Sequence, residues 1–225
     1  MSDGAQGTPN ARRWDKRHIW RASLAVRTLW LLGLVALVAF VPMLADRWFY
    51  DNWHNRDVYN LEWGRLLRVM GWYPTWLVAA LALWLTHRGG ETTAAMAKWN
   101  AWYLALAPAA SGIVCEVLKL LIRRERPEAN GGEYGFRPWS DDPFSTAGLA
   151  TPSSHTMVAF AAATALARIF PGARWVWYTL AAGCAATRVL SHAHFASDVT
   201  LGALLGWSVD WGVWIAMRRR QASTA

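Results

Sequence analysis

The sequence predicts an all-α fold: a polytopic membrane helical bundle of about six transmembrane helices, with N and C termini cytoplasmic. Three observations carry this. Hydrophobic residues make up 54% of the 225 positions against 17% charged, and 17 residues are tryptophan, a composition foreign to an ordinary soluble domain. The apolar residues fall into blocks, most of them long enough to cross a hydrocarbon core of about 30 Å. Lys and Arg gather before the first block and after the last, as they do on cytoplasmic flanks.

Taken in order, residues 1–23 hold Arg12, Arg13, Lys16, Arg17 and Arg21 among polar, Gly- and Pro-containing sequence, and read as a basic cytoplasmic tail, disordered in part. Leu24 to Ala45 is the first span. Its length, the lack of a small-x-small cleavage site and the blocks that follow separate it from a signal peptide. The loop from Asp46 to Arg68 sets four arginines against four acids, a balance an outside loop tolerates. Further spans are read over Val69 to Thr86, Trp99 to Leu121, Thr156 to Phe170, Trp175 to Leu190 and Val199 to Met217; the fourth and fifth are short. The membrane domain thus covers 24–217, and 218–225, opening on Arg218, Arg219 and Arg220, is a second basic tail. Much of the net charge of +8 lies in the tails, where it suits topology and anionic lipid headgroups. The bilayer is the expected partner, and nucleic acid is not. Cys115 and Cys184 fall inside spans and read as small packing residues rather than a disulfide or metal pair.

In this topology the loops after the third and fifth spans share the outer face, and they hold nearly all the catalytically capable residues. "KLLIRRERP", Lys119 to Pro127, puts Lys119 and Arg126 seven residues apart. Were the helix to continue, both would point the same way at a separation of about 10 Å, with Pro127 stopping it. Long cations aimed at one place suit a phosphate dianion; the competing reading of Lys119, Arg123, Arg124 and Arg126 is an interfacial basic collar. In "ATPSSHTMVAF", Ala150 to Phe160, Ser153 and Ser154 stand where the next helix needs an N-cap, so hydroxyls, free amides and the positive dipole end would face an anion together. His155 follows, placed to pass a proton to whatever binds there. In "TRVLSHAHFASDVTLG", Thr187 to Gly202, His194 and Asp198 are four residues apart, so the carboxylate can hold one ring nitrogen and leave the other free. Arg188 supplies a third cation, and His192 has no acid at that spacing.

Lys119 with Arg126-Pro127, then Pro152-Ser153-Ser154-His155, then Thr187-Arg188 with His194 and Asp198, resemble the three-part signature of the type 2 phosphatidic acid phosphatase superfamily. Its pattern is Lys, six residues, Arg-Pro; Pro-Ser-Gly-His; and Ser-Arg, five residues, His, three residues, Asp. The resemblance is detailed over Lys119 to Asp198, with matching spacing in each segment. It implies that Lys119, Arg126, Arg188, Ser153 and the Ser154 backbone bind the phosphoryl group. It further implies that His194 attacks phosphorus, Asp198 orients His194, and His155 protonates the leaving oxygen, with no metal or other cofactor. The partner it implies is a membrane lipid phosphate: a polyprenyl diphosphate, phosphatidic acid or phosphatidylglycerol phosphate, or lipid A.

Ser154 stands at the family's glycine and Thr187 at its serine, departures bearing on substrate preference and, were a positive φ needed at 154, on backbone strain. Glu116 is expected to pair with Lys119 or Arg123. Asp210, inside the last span, is expected to be a paired structural carboxylate. Two other functions compete with hydrolysis: phosphoryl transfer from His194 to a second lipid, and lipid-phosphate binding or transport without turnover. Binding needs the cations but not the set His155, His194 and Asp198.

Overall fold

The computed structural model describes residues 40–86 and 91–224, together with Val26 and Leu29. The chain divides into two units, Met1–Val38 and Ala39–Ala225. The expected tail 1–23 and most of the first expected span lie outside the described residues.

The second unit is built from helices and turns. Helix α1 covers residues 40–52, followed by α2 (Glu62–Val69), α3 (Tyr73–Leu85), α4 (Glu91–Ile122), α5 (Ser154–Ile169), α6 (Arg174–Leu190) and α7 (Ala196–Thr224). Among the described residues there is no strand, only two isolated antiparallel bridges, Arg124 with Phe136 and Glu125 with Leu149. Helices α3 to α7 overlap the second to sixth expected spans, with α3 beginning at Tyr73 rather than Val69. Helix α2 was not expected: it lies within the stretch Asp46 to Arg68 read as loop. Its Trp63, Leu66 and Val69 are exposed beside Glu62, Arg65 and Arg68, the amphipathic habit of a helix lying on a surface.

Helices α4 and α7 are long and apolar enough to cross a membrane over Ala94–Ile122 and Ala196–Ser223, and α2 with α3, bent by 67°, makes a third candidate if counted as one span. The outward faces of α3, α4 and α7 carry Val78, Leu81, Leu106, Ile113, Val117, Trp207 and Trp211 in the open. In water so large an apolar surface is a liability; in lipid it is the normal exterior. Helices α5 and α6 have 16 and 17 residues, about 24–26 Å at 1.5 Å per residue.

Helix α5 is the core element. Thr156 to Ala159 and Ala161 to Leu166 are all buried, and α4, α6 and α7 pack around it. Its alanines let neighbouring backbones come close. On α7, a Cβ at Gly202 would fall 3.0 Å from the Ser153 carbonyl oxygen, and one at Gly206 2.4 Å from that of Met157. Gly206→Ala therefore forces α7 off α5, an overpacking cost of about 1–3 kcal/mol, read as a lower melting temperature of the purified protein. Gly212→Ala, where an added Cβ meets nothing within 4 Å, is the control and leaves it unchanged or raised.

Asp210, fully buried, is paired as expected, but its partner is Arg168 on α5, and Tyr103 on α4 donates its O–H to the same carboxylate at 2.6 Å. Arg168 lies over the rings of Trp211 and Trp214 at 4.7 and 5.3 Å. This cluster ties α4, α5 and α7 at the end of the bundle opposite the residues described next.

Candidate active site

Four helix ends meet at one end of the bundle: the C-termini of α4 and α6 and the N-termini of α5 and α7. They carry Lys119, Arg188, Ser153 to His155, and Asp198 respectively, and the sequence on either side of them adds Arg126 and His194. The residues expected to act together are therefore supplied from one end of the fold.

The stretch Lys119 to Pro127 departs from its helical reading. Helix α4 stops at Ile122 because Arg123 takes a left-handed φ of 56°, and Arg126 lies in extended backbone before a 3-10 turn over Pro127–Asn130. Lys119 and Arg126 are not two turns apart on one helix. Nor are the two intervening arginines an interfacial collar, since both are buried. Arg123 organises the long loop: its guanidinium donates to the carbonyls of Arg137 (3.0 Å), Pro138 (3.0 Å), Pro143 (3.2 Å) and Asp141. Arg124 turns the other way and pairs with Asp198, its Nη2 also donating to Ser197 Oγ at 2.8 Å.

Asp198 is fully buried. Oδ1 accepts from Arg124 and from the Thr151 hydroxyl, and Oδ2 accepts the Phe195 N–H at 2.8 Å. Arg124 itself packs against the rings of Tyr134 and Phe195, at 4.9 and 5.0 Å, and those two rings meet edge to face at 5.0 Å. Behind it, Asp46 of α1 accepts the Ser197 N–H (2.8 Å), the Ser197 hydroxyl and the Tyr134 O–H (2.8 Å). A buried chain of alternating charge thus runs from Asp46 through Ser197 and Arg124 to Asp198, with each member hydrogen-bonded, as buried charges require. Sequence reasoning missed Asp46, Arg124 and Thr151. No spacing marks them, and the one available signal was the doubled arginine beside Lys119.

His194 Nδ1 stands 3.8 Å from Asp198 Oδ2, ion-pair range rather than hydrogen-bond length. The ring is buried, and burial, against the pull of Asp198 and with Arg188's charge adding to it, lowers its pKa to about 4. The lowered pKa favours the neutral imidazole, with Nδ1 toward the acid and Nε2 on the other side of the ring. His192, also buried, is packed flat on Tyr50 with ring centroids 4.3 Å apart and His54 at 5.5 Å. The two histidines are thereby separated: one lies beside the acid, the other in an aromatic stack.

Lys119 and Arg188 lie within electrostatic reach of both His194 and His155, and Arg126 lies within reach of those two cations. Lys119 and Arg188 are buried and Arg126 partly so, and all three lie near enough for their charges to act on one another. Burial and the neighbouring Arg188 lower the pKa of Arg126. Lys119 has Glu116 at 3.9 Å, the expected pairing, and Arg188 donates to the Tyr59 hydroxyl at 2.8 Å. Arg126 Nε, Arg188 Nε and His194 Nδ1 are buried and have no hydrogen-bond partner among the described residues. His155 lies within electrostatic reach of Arg188, His194, Arg68 and Lys119. Among the described residues, no group of His, Cys, Asp or Glu is arranged to hold a metal ion.

Ser153 is the N-cap of α5 but makes no side-chain cap bond. Its N–H donates to the Asp198 carbonyl at 3.2 Å and its Oγ accepts from Thr156 at 3.1 Å. The amides left for an anion are those of the first helical turn from Ser154 onward. Ser154 has no positive φ, so a side chain here brings no backbone strain, and its hydroxyl donates to Glu116 Oε1 at 3.0 Å. The Thr187 hydroxyl bonds the Cys184 carbonyl at 2.7 Å within α6. The threonine thus keeps the local bond that a serine there would also make.

With the site in view, relatives give it a lineage. The PAP2 superfamily model matches residues 100–222. The chain belongs to the PAP2, or type 2 phosphatidic acid phosphatase, superfamily. The matched segment of this PAP2 chain holds every residue of the three-part signature, while Asp46, Tyr59 and the arginines of α2 lie before it. It is similar to the "Lipid A 1-phosphatase" of Rhizobium etli, 30% identical over 201 residues that cover 84% of this chain and 81% of that protein. The protein of the same name from Rhizobium johnstonii is 30% identical over 155 residues, 64% of this chain and 62% of that one. That of Porphyromonas gingivalis is 39% identical over 93 residues, 39% of this chain, and the match spans only 20% of that protein's length. No solved structure matches.

Proposed function

We propose that this PAP2 chain is an integral membrane lipid phosphatase that removes a terminal phosphate through a phosphohistidine. The observation that carries this is the placing of one buried histidine, His194, beside a buried acid, Asp198, and within reach of Lys119, Arg188 and His155. In the first step His194 Nε2 bonds to phosphorus, the bond from phosphorus to the lipid oxygen breaks, and His155 gives that oxygen its proton. In the second, His155 takes a proton from water as the water oxygen attacks phosphorus. The P–N bond breaks, inorganic phosphate leaves and His194 is neutral again. Lys119, Arg126, Arg188 and the first-turn amides of α5 stabilise charge on the equatorial oxygens. Asp198 favours the imidazolium that forms during attack.

Six spans with both ends cytoplasmic would put the site on the extracytoplasmic side of the inner membrane, at headgroup level, where a lipid enters sideways without leaving the bilayer. Arg218, Arg219 and Arg220, at the end of α7 away from Asp198, and the basic composition of residues 1–23 support that orientation. The relatives' names make the 1-phosphate of lipid A the first substrate to try. In detergent with chelator present, the purified full-length protein is expected to release inorganic phosphate from lipid A, or from a panel of polyprenyl diphosphate, phosphatidic acid and phosphatidylglycerol phosphate. Label appearing on an acceptor lipid instead of in free phosphate would convert the reading to a transferase. No transfer of the phosphoryl group to either would reject it.

A further inference from the structure

The mechanism leaves unused a cavity of about 310 Å³ lined by Arg65, Arg68, Val69, Trp72 and His155. Roomier grooves, about 390 and 470 Å³, open beside Trp99 at the other end of α4 and α7, away from any of the chemistry above. The smaller one adjoins His155 itself.

Helix α2 is held there tightly. The turn that follows it runs so close to the start of α5 that a Cβ on Gly71 would fall 2.6 Å from His155 Cβ and 2.7 Å from its carbonyl oxygen. Arg68 lies over the ring of Tyr59 at 4.6 Å, and the hydroxyl of that same ring accepts from Arg188. Tyr59 therefore stands between two guanidiniums, Arg188 facing the phosphoryl site and Arg68 facing the cavity. Among the described residues Arg68 makes no ion pair and Arg65 pairs only with Glu62 one turn away, both partners being exposed. Such an exposed pair is worth little and yields readily to a stronger anion.

His155 fixes what lies in that direction. If it protonates the leaving oxygen, then the space on its far side receives the leaving portion of the substrate, and that space sets two arginines, Arg65 and Arg68, beside the apolar Val69 and Trp72. A lipid whose phosphate is joined to a neutral alcohol gives those arginines nothing to bind, while a leaving portion with its own phosphate gives them an anion, singly charged in a diphosphate and up to doubly charged in a separate monoester. Resting on the phosphatase reading above, we propose that Arg65 and Arg68 form a second anion subsite, and that the preferred substrate is a lipid carrying a further phosphate on its leaving side. A surface arginine collar would spread along α2 toward the headgroups without sharing a cavity with His155.

The test is a ratio of kcat/KM values. Two substrate pairs are used: a polyprenyl diphosphate with the monophosphate of the same chain, and a glycolipid phosphorylated on two sugars with its singly phosphorylated counterpart. Wild-type protein is expected to favour the doubly phosphorylated member of at least one pair. In Arg65→Gln/Arg68→Gln that ratio falls about ten- to a hundredfold, the loss of a charge-assisted hydrogen bond or two, and Arg68→Lys retains part of it. The pair whose ratio moves tells whether the second phosphate is bonded directly to the first or carried elsewhere on the headgroup. A ratio within about twofold of wild type overturns the proposal, including the case where both rates drop together through misfolding or poor membrane docking. A wild type that prefers the singly phosphorylated lipids overturns it too. If wild type releases no phosphate from any of the four, the phosphatase reading itself has failed, and that is visible before any variant is compared.

Discussion

His194→Ala protein, purified and folded, is expected to release phosphate on the order of a thousandfold more slowly than wild type, or worse, as when a nucleophile is removed from a coupled catalytic set. KM should move little, because Lys119, Arg126, Arg188 and the α5 amides all remain. His155→Ala is expected to lose about 10²- to 10⁴-fold in kcat on a lipid phosphate, but for a different reason, and the difference can be measured. With an aryl phosphate, whose phenolate leaves without a proton, His155→Ala should recover most of its activity and His194→Ala none. Full release by His194→Ala, or equal rescue of both variants, would remove the roles given to them. His192→Ala, by contrast, takes away a ring stacked on Tyr50 rather than a group beside Asp198.

The second large effect is expected at Arg124, which no motif singles out. Arg124 and Asp198 are both buried and paired, and taking one member from such a pair leaves the other charge uncompensated, at a cost of about 3–5 kcal/mol. Arg124→Ala should therefore lower the melting temperature markedly, and below that temperature its kcat should fall with KM nearly unchanged, since Asp198 loses the contact that fixes its Oδ1. Arg124→Lys keeps the charge but not the flat guanidinium that packs on Tyr134 and Phe195 while its Nη2 donates to both Ser197 and Asp198, and should recover stability better than rate. An Arg124→Ala protein with wild-type melting and wild-type kcat would show the pairing to be incidental.

How much of this was legible in the sequence differs by kind of information. Helices α3 to α7 could be read because apolar blocks report burial in lipid or protein directly, and the signature residues could be read because their spacing within each segment is local. Two things were not. The break in α4 depends on Arg123 adopting a positive φ, and nothing in "KLLIRRERP" marks one arginine as helix-ending before Pro127 does so. The partners of Asp198 come from sequence distances of 47 and 74 residues, and a contact between distant segments leaves no periodicity to detect. Helix α2 escaped because eight residues, three of them charged, look like loop when only long apolar runs are sought. It is nevertheless the element that lays arginines beside His155.

The close seam between α5 and α7 bears on where such a protein can work. Ser153 bonds Asp198 backbone to backbone, and Gly202 and Gly206 let the two helices touch without side chains between them. The amides of α5 and the carboxylate of α7 are thus one rigid piece, bounded by protein rather than by lipid. Bilayers of different thickness act on a membrane protein by tilting its outer helices; α7 is one of them, but its inward side is held against α5 by backbone contact at Gly202 and Gly206. The chemistry should therefore travel with the chain from one membrane to another, or into detergent, and a change of lipid should show first in how substrate reaches the site, before it shows in what happens there.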